Sequence, residues 1–252
     1  TISLEELHVA GAAYFVNAVG MRAENCGFSG GKYGLFLDNN SFEVRLRNLR
    51  TETAQRFALR TRNAIGVSSI IDFLANGSDD YAVWLKHFSG TMDGLYTGAD
   101  KLPLIVDASG ASGGLVSMRG VVLTNEGYGS SPRAMAAFIE PACVKADTCV
   151  FQALNGITAP LILVDHSGSG KETPITFDTC AFDVDANASK IKFLNTSPVK
   201  GSVIAINPGR SPFISPDSVP MSDPADLVTI FKNGQISNLT SADITASSGL
   251  AL

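Results

Sequence analysis

Three five-residue strings in this chain share one formula: an acid, a small polar residue, cysteine, any residue, phenylalanine. They are "ENCGF" (24–28), "DTCVF" (147–151) and "DTCAF" (178–182). Between them runs a second series of short apolar segments, most closed by a polar residue: "AYFVN", "GLFLD", "RFALR", "AVWLK", "PLIVD", "AAFIE", "LILVD" and "KIKFLN". Their aligned ends are Asn17, Asp38, Arg60, Lys86, Asp107, Glu140 and Asp165, with Leu194 in the last place, at intervals of 21, 22, 26, 21, 33, 25 and 29 residues. The cysteine strings extend into a matching series, "ENCGF", "RNLRT", "IIDFL", "MDGLY", "RGVVL", "DTCVF" and "DTCAF". A degenerate repeat this short constrains the fold strongly, because one unit cannot bury its own apolar face and must stack on its neighbours.

Each unit holds two or three β-type runs separated by Gly, Asn, Asp and Ser, the turn formers. None contains a stretch with helical periodicity long enough for a βαβ crossover, and the Leu-x-x-Leu-x-Leu frame of leucine-rich repeats is missing. The predicted fold is therefore all-β: a parallel β-solenoid of about eight coils rising about 4.8 Å each. The solenoid is expected over residues 1–206. Residues 207–252 break the pattern, since "NPGRSPFISPDSVPMSDPAD" is too rich in proline for a central strand. That segment is expected to run extended over the solenoid, and "LVTIFKNGQISNLT" to form a capping hairpin around Asn233-Gly234. The opening "TISLEELHVAG" has no Met, basic leader or signal-like core, and reads as a piece of something larger.

The three cysteine slots and the irregular coil length resemble the right-handed parallel β-helix, or pectin-lyase-like, superfamily. Within it, long degenerate coils followed by a Pro-rich, β-type tail look most like bacteriophage tailspikes and related virion proteins. That resemblance implies a homotrimer of parallel solenoids, bacterial surface polysaccharide as partner, and a place in the virion tail or outside the cell.

Composition narrows the classes further. Apolar residues make up 45% and charged residues 17%, the balance of an ordered chain. A net charge of −5 argues against a nucleic-acid partner, and no apolar run is long enough to cross a membrane as a helix. Four cysteines leave the compartment open, and no CxxC or Cys–His spacing offers zinc ligands. In the repeat each Cys precedes an aromatic by two residues, which puts both on one face of a strand; an interior thiol beside a phenyl ring is expected. No cofactor is expected.

If Val83 and Leu85 face inward, Trp84 faces out. The same parity in the other segments places Phe15, Phe36, Ala58, Trp84, Ile105, Phe138 and Leu163 in one outward apolar column. Soluble monomers rarely leave such a ribbon bare, so the column is expected to be an oligomer interface, with loop cover as the alternative.

The polar ends form a neighbouring column. Asp38 with Arg60, and Lys86 with Asp107, suit plain cross-strand ion pairs. Asp107, Glu140 and Asp165 are like charges, and paired carboxylates about 5 Å apart suit a retaining glycosidase, at about 6.5–9.5 Å an inverting one. They are the candidate catalytic residues, with Tyr128, Arg133 and His166 as candidate substrate-binding groups. A solvated turn column is the plainer role, and a hard cation such as Ca²⁺ on the clustered oxygens is a third. Asp79, Asp80 and Asp93, near Tyr81 and Tyr96, make a weaker cluster.

Two other motifs do not carry chemistry. "GASGG" (110–114) lacks the strand-turn-helix context of a nucleophile elbow, and "GSGKE" (168–172) lacks the spacing and the Ser or Thr of a phosphate loop. One Trp and five Tyr are few for a dedicated depolymerase, and no Arg stands with a clear Ca²⁺-binding acidic set as a lyase would need. Function is expected to lie between a glycan hydrolase, a non-catalytic adhesin or structural part of a virion, and a secreted polysaccharide lyase.

Overall fold

The computed structural model describes residues 2–17, 19–38, 43–54, 56–62, 68–76, 81–98, 102–109, 115–125, 134–139, 143–153, 162–165, 175–183, 191–194, 204–207, 228–232 and 235–238. Strands β1 (Ile2–Glu5), β2 (His8–Ala10) and β3 (Ala13–Val16) open the solenoid. Four regular windings follow: β4 (Met21–Ser29) with β5 (Tyr33–Asp38), β6 (Val44–Glu52) with β7 (Phe57–Arg62), β8 (Ser68–Asn76) with β9 (Tyr81–Lys86), and β10 (Gly90–Gly98) with β11 (Leu102–Asp107). Each pairs a nine-residue strand with a six-residue one.

Shorter strands continue the path: β12 (Leu115–Arg119), β13 (Val122–Asn125), β14 (Ala136–Ile139), β15 (Cys143–Asp147), β16 (Val150–Ala153) and β17 (Ile162–Asp165). Then come β18 (Ile175–Asp178), β19 (Ala181–Asp183), β20 (Ile191–Leu194), β21 (Ile204–Asn207), β22 (Val228–Lys232) and β23 (Gln235–Asn238). No helix occurs among the described residues. The chain forms the all-β parallel solenoid that the repeat predicts.

Two sheets result. The first stacks β1, β4, β6, β8, β10, β12, β15, β18, β21 and β22 in that order; the second stacks β3, β5, β7, β9, β11, β14, β17 and β20. Every neighbour pair along both is parallel except the last, where β23 turns back antiparallel on β22 with Lys232 opposite Gln235. Strand β23 ends the first sheet, and Asn233-Gly234 lies outside the described residues. The proline-rich stretch 208–227 lies outside the described residues.

The second residue of each cysteine slot explains the recurring formula. Asn25, Asn48, Asp72, Gly94, Gly120, Thr148 and Thr179 share one register position, and all have φ between 50° and 70°. Asn, Asp and Gly tolerate this left-handed conformation best. Asn48 Nδ2 donates to Asn25 Oδ1 at 2.7 Å, so the first two also bind one another. The bend shifts the inward phase by one residue. Met21 and Ala23 point in before it, Cys26 and Phe28 after it. The acid ahead of the bend faces out, and the cysteine after it faces in. Cys26, Cys149 and Cys180 each donate a thiol hydrogen bond to the carbonyl of the acid two residues earlier, at 3.2, 3.4 and 3.4 Å.

The same phase shift corrects the strand alignment. "IIDFL" and "MDGLY" stand one residue out of register; the matching strings are "IDFLA" and "DGLYT". The inward column after the bend reads Cys26, Leu49, Phe73, Leu95, Val121, Cys149 and Cys180, each no more than 2% exposed. Facing it across the interior are Leu35, Leu37, Leu59, Val83, Leu85, Leu104 and Phe138 of the second sheet. Cys149 and Cys180 occupy adjacent rungs inside this core, and contact with Cys149 together with burial pushes the Cys180 thiol far above the usual thiol range.

Candidate functional site

The expected outward column is only partly one column. In the second sheet Tyr14 pairs with Phe36, Phe36 with Arg60, Arg60 with Trp84, Trp84 with Ile105, Ile105 with Ala137, Ala137 with Leu163 and Leu163 with Lys192. Phe36, Trp84, Ile105 and Leu163 do stand in line. Phe138 does not: it is an interior residue with no exposed surface, and Ala137 takes its place. Phe15 pairs with Leu37 and packs against the core, and Ala58 is fully buried two positions from Arg60, the column's member in β7. The errors share one cause. Polar ends do not mark a fixed position, because Asn17 lies past the end of β3 and Arg60 lies inside β7.

That correction changes the polar column too. Its members are Asp38, Arg62, Lys86, Asp107, Ile139 and Asp165. Asp38 pairs with Arg62 at 3.6 Å rather than with Arg60, and Asp107 with Lys86 at 3.8 Å. At this register position the rung between Asp107 and Asp165 holds Ile139. Asp107 is 5% exposed and its carboxylate accepts hydrogen bonds from the backbone and hydroxyl of Ser109. With Lys86 beside it, it is committed to holding its own turn. Glu140, Tyr128, Arg133 and His166 lie outside the described residues, as does the side chain of Asp165. Asp93 sits on the first sheet bonded to Arg119, on a different sheet from Tyr81; Asp79 and Asp80 are not among the described residues. No group of three or more metal-ligating side chains occurs among the described residues.

What the register does assemble is an aromatic face. Tyr33, Phe57 and Tyr81 occupy successive rungs of the second sheet with near-parallel rings, 5.7 and 5.3 Å apart at 13° and 14°. A second row runs beside them. Tyr14 and Phe36 meet at 4.8 Å, and Trp84 closes on Phe57 and Tyr81 at 5.6 and 5.9 Å. The chain's single Trp and three of its five Tyr thus lie in one patch. The shortage of aromatics that counts against glycan recognition is offset by their concentration.

Arg60 fills the gap in the second row. Its guanidinium carbon lies 4.9 Å from the Phe36 ring, 5.3 Å from Phe57 and 4.5 Å from Trp84. Its Nε and the Trp84 indole Nε1 are buried with no hydrogen-bond partner. At the edge, the Tyr14 hydroxyl donates to Asp38 at 3.1 Å, a bond that raises the phenol above its ordinary pKa. Toward the C-terminal end the face turns aliphatic and closed: Leu102, Ile105, Ala134 and Ala137 form a second buried cluster, at most 5% exposed, with Leu163 packed against it. Ile105 is therefore outward but covered.

This face was legible in a regularity the polar ends obscure. Tyr33, Phe57 and Tyr81 are 24 residues apart, and so are Phe36, Arg60 and Trp84. No known family model, curated protein or solved structure matches the chain, so the parallel solenoid and this face are what place it.

Proposed function

We propose that this chain is the recognition segment of a tailspike-like protein of the pectin-lyase-like β-helix class, virion-borne or extracellular, which holds bacterial surface polysaccharide along the aromatic face. The carrying observation is the row of aromatic side chains on successive rungs, of which Tyr14 is exposed and Tyr33, Phe36, Tyr81 and Trp84 are partly exposed. Sugar rings present flat C–H faces that pack on aromatic rings, and stacking on a rigid sheet costs little side-chain entropy. An extended polymer lying along the solenoid axis meets one ring after another, as a repeating ligand requires.

Binding without cleavage fits better than hydrolysis, because Asp107 is tied to Ser109 and Lys86, and Ile139 holds the register position between Asp107 and Asp165. Incubation with capsular or O-antigen polysaccharides tests this: retention on immobilised glycan is expected, without release of reducing ends. One arrangement favours cleavage instead. Asp147 and Asp178, the acids of the two downstream cysteine slots, face out on adjacent rungs about 5 Å apart. Release of reducing ends that Asp147→Asn abolishes would establish that reading. The aromatic face could also seat sister chains of a homotrimer; Trp84→Glu would then lower the mass measured by light scattering, whereas a glycan face leaves the mass unchanged.

A further inference from the structure

The cations of the two sheets are matched differently. On the outer face of the first sheet Arg22 pairs with Glu24 at 2.8 Å, Arg47 approaches the same Glu24 at 3.9 Å, and Arg45, Arg50 and Arg119 bond Glu43, Glu52 and Asp93. On the aromatic face Arg60 has ring faces around it and no carboxylate among the described residues. Lys32 and Arg56 stand on adjacent rungs beside Tyr33 and Phe57, where the Arg56 amide donates to the Lys32 carbonyl, and neither has an acidic partner among the described residues. In a chain of net charge −5, three cations without an ion pair among the described residues, beside six aromatic rings, mark a place where negative charge is supplied from outside.

Resting on the glycan-recognition reading, we infer that the ligand of this face is an acidic polysaccharide, whose anionic group is taken by Arg60 while its sugar rings pack against the partly exposed Tyr33, Tyr81 and Trp84. A guanidinium held between rings keeps its planar fork oriented and is weakly hydrated, which suits it to a carboxylate or sulfate. Charge density separates this ligand from nucleic acid. A nucleic-acid strand brings a phosphate at every nucleotide and is met by long basic grooves. Three cations confined to two adjacent rungs do not make the long basic groove that such a strand needs.

The test is an array of acidic bacterial capsular polysaccharides, each beside a counterpart with its carboxylates reduced to alcohols or its sulfates removed, read by surface plasmon resonance at low and high salt. The acidic form is expected to bind, its uncharged counterpart about tenfold more weakly, as the loss of one charged hydrogen-bonded pair gives. Whichever treatment weakens binding identifies the anion. Affinity should fall as salt rises. Arg60→Gln should erase both the difference and the salt dependence, and Arg60→Lys should restore part of each. Equal binding of charged and uncharged forms, with no salt dependence in the unmodified chain, overturns the inference and leaves glycan recognition standing. Failure of the folded chain to bind any polysaccharide overturns both, and tighter binding of oligo-dT than of any glycan overturns them in favour of nucleic acid.

Discussion

The two outer faces of the solenoid are both made of in-register strands and treat charge differently. The first sheet neutralises itself: its arginines lean along or across the rungs to acids, and its surface asks nothing of a partner. The second sheet pairs Arg62 with Asp38 and Lys86 with Asp107 along one edge, but in the windings from β3 to β9 its neighbouring outward positions carry rings with Arg60 among them. A solenoid makes this contrast possible because one residue per winding sets the character of a whole stripe. Identity at a single register position, repeated, becomes a surface.

The sharpest way to break this comparison is to show that inside and outside have been confused. Phe138→Ala should cost about 3–5 kcal/mol in urea unfolding, the loss for a buried Phe, since the ring is interior. A cost near zero would put it on the surface and void the register of the second sheet. Next, Phe57→Ala should cost about 2–3 kcal/mol, because it removes the central ring of the stack at 5% exposure. A smaller gain tests the bend column. Thr148 and Thr179 carry left-handed φ of 54° on β-branched side chains, so Thr148→Asn should stabilise by about 1 kcal/mol, seen as a higher urea midpoint.

The smallest effect belongs to the self-neutralised face. The hydrogen bond from Arg22 holds the Glu24 carboxyl below its ordinary 4.5. A depressed carboxyl contributes above the unfolded value and loses that contribution as pH falls through the folded one. Glu24→Gln should therefore leave the urea midpoint at pH 7 nearly unchanged and slightly flatten its decline below 4.5. A large change at neutral pH would mean that this face is not the inert one.

The fold was legible because repetition survives poor alignment: slots such as "DTCVF" and "DTCAF" recur however their neighbours are matched. The site was less so, for a specific reason. Alternation along a strand holds only until a left-handed residue such as Asn25 or Asp72 shifts the phase, and nothing in "IIDFL" announces which residue that is. Polar residues were poor markers of strand ends, since Arg60 is a mid-strand side chain lying on rings. The aromatic residues, packed against their own equivalents on the next rung, kept strict spacing where the charged ones drifted.

The equal 24-residue spacing of the windings that carry Tyr33, Phe57 and Tyr81 has an engineering consequence. Val44 and Ser68 are 24 residues apart and meet through one hydrogen bond, at the same point of successive turns. Excising 44–67 would remove one whole storey and bring Phe36 beneath Trp84, shortening the platform without scrambling what lies above; duplicating the same stretch would lengthen it. The molecule is in this sense a ruler whose graduations can be added or taken away, and the reach of its grip on a polymer becomes a quantity that can be set.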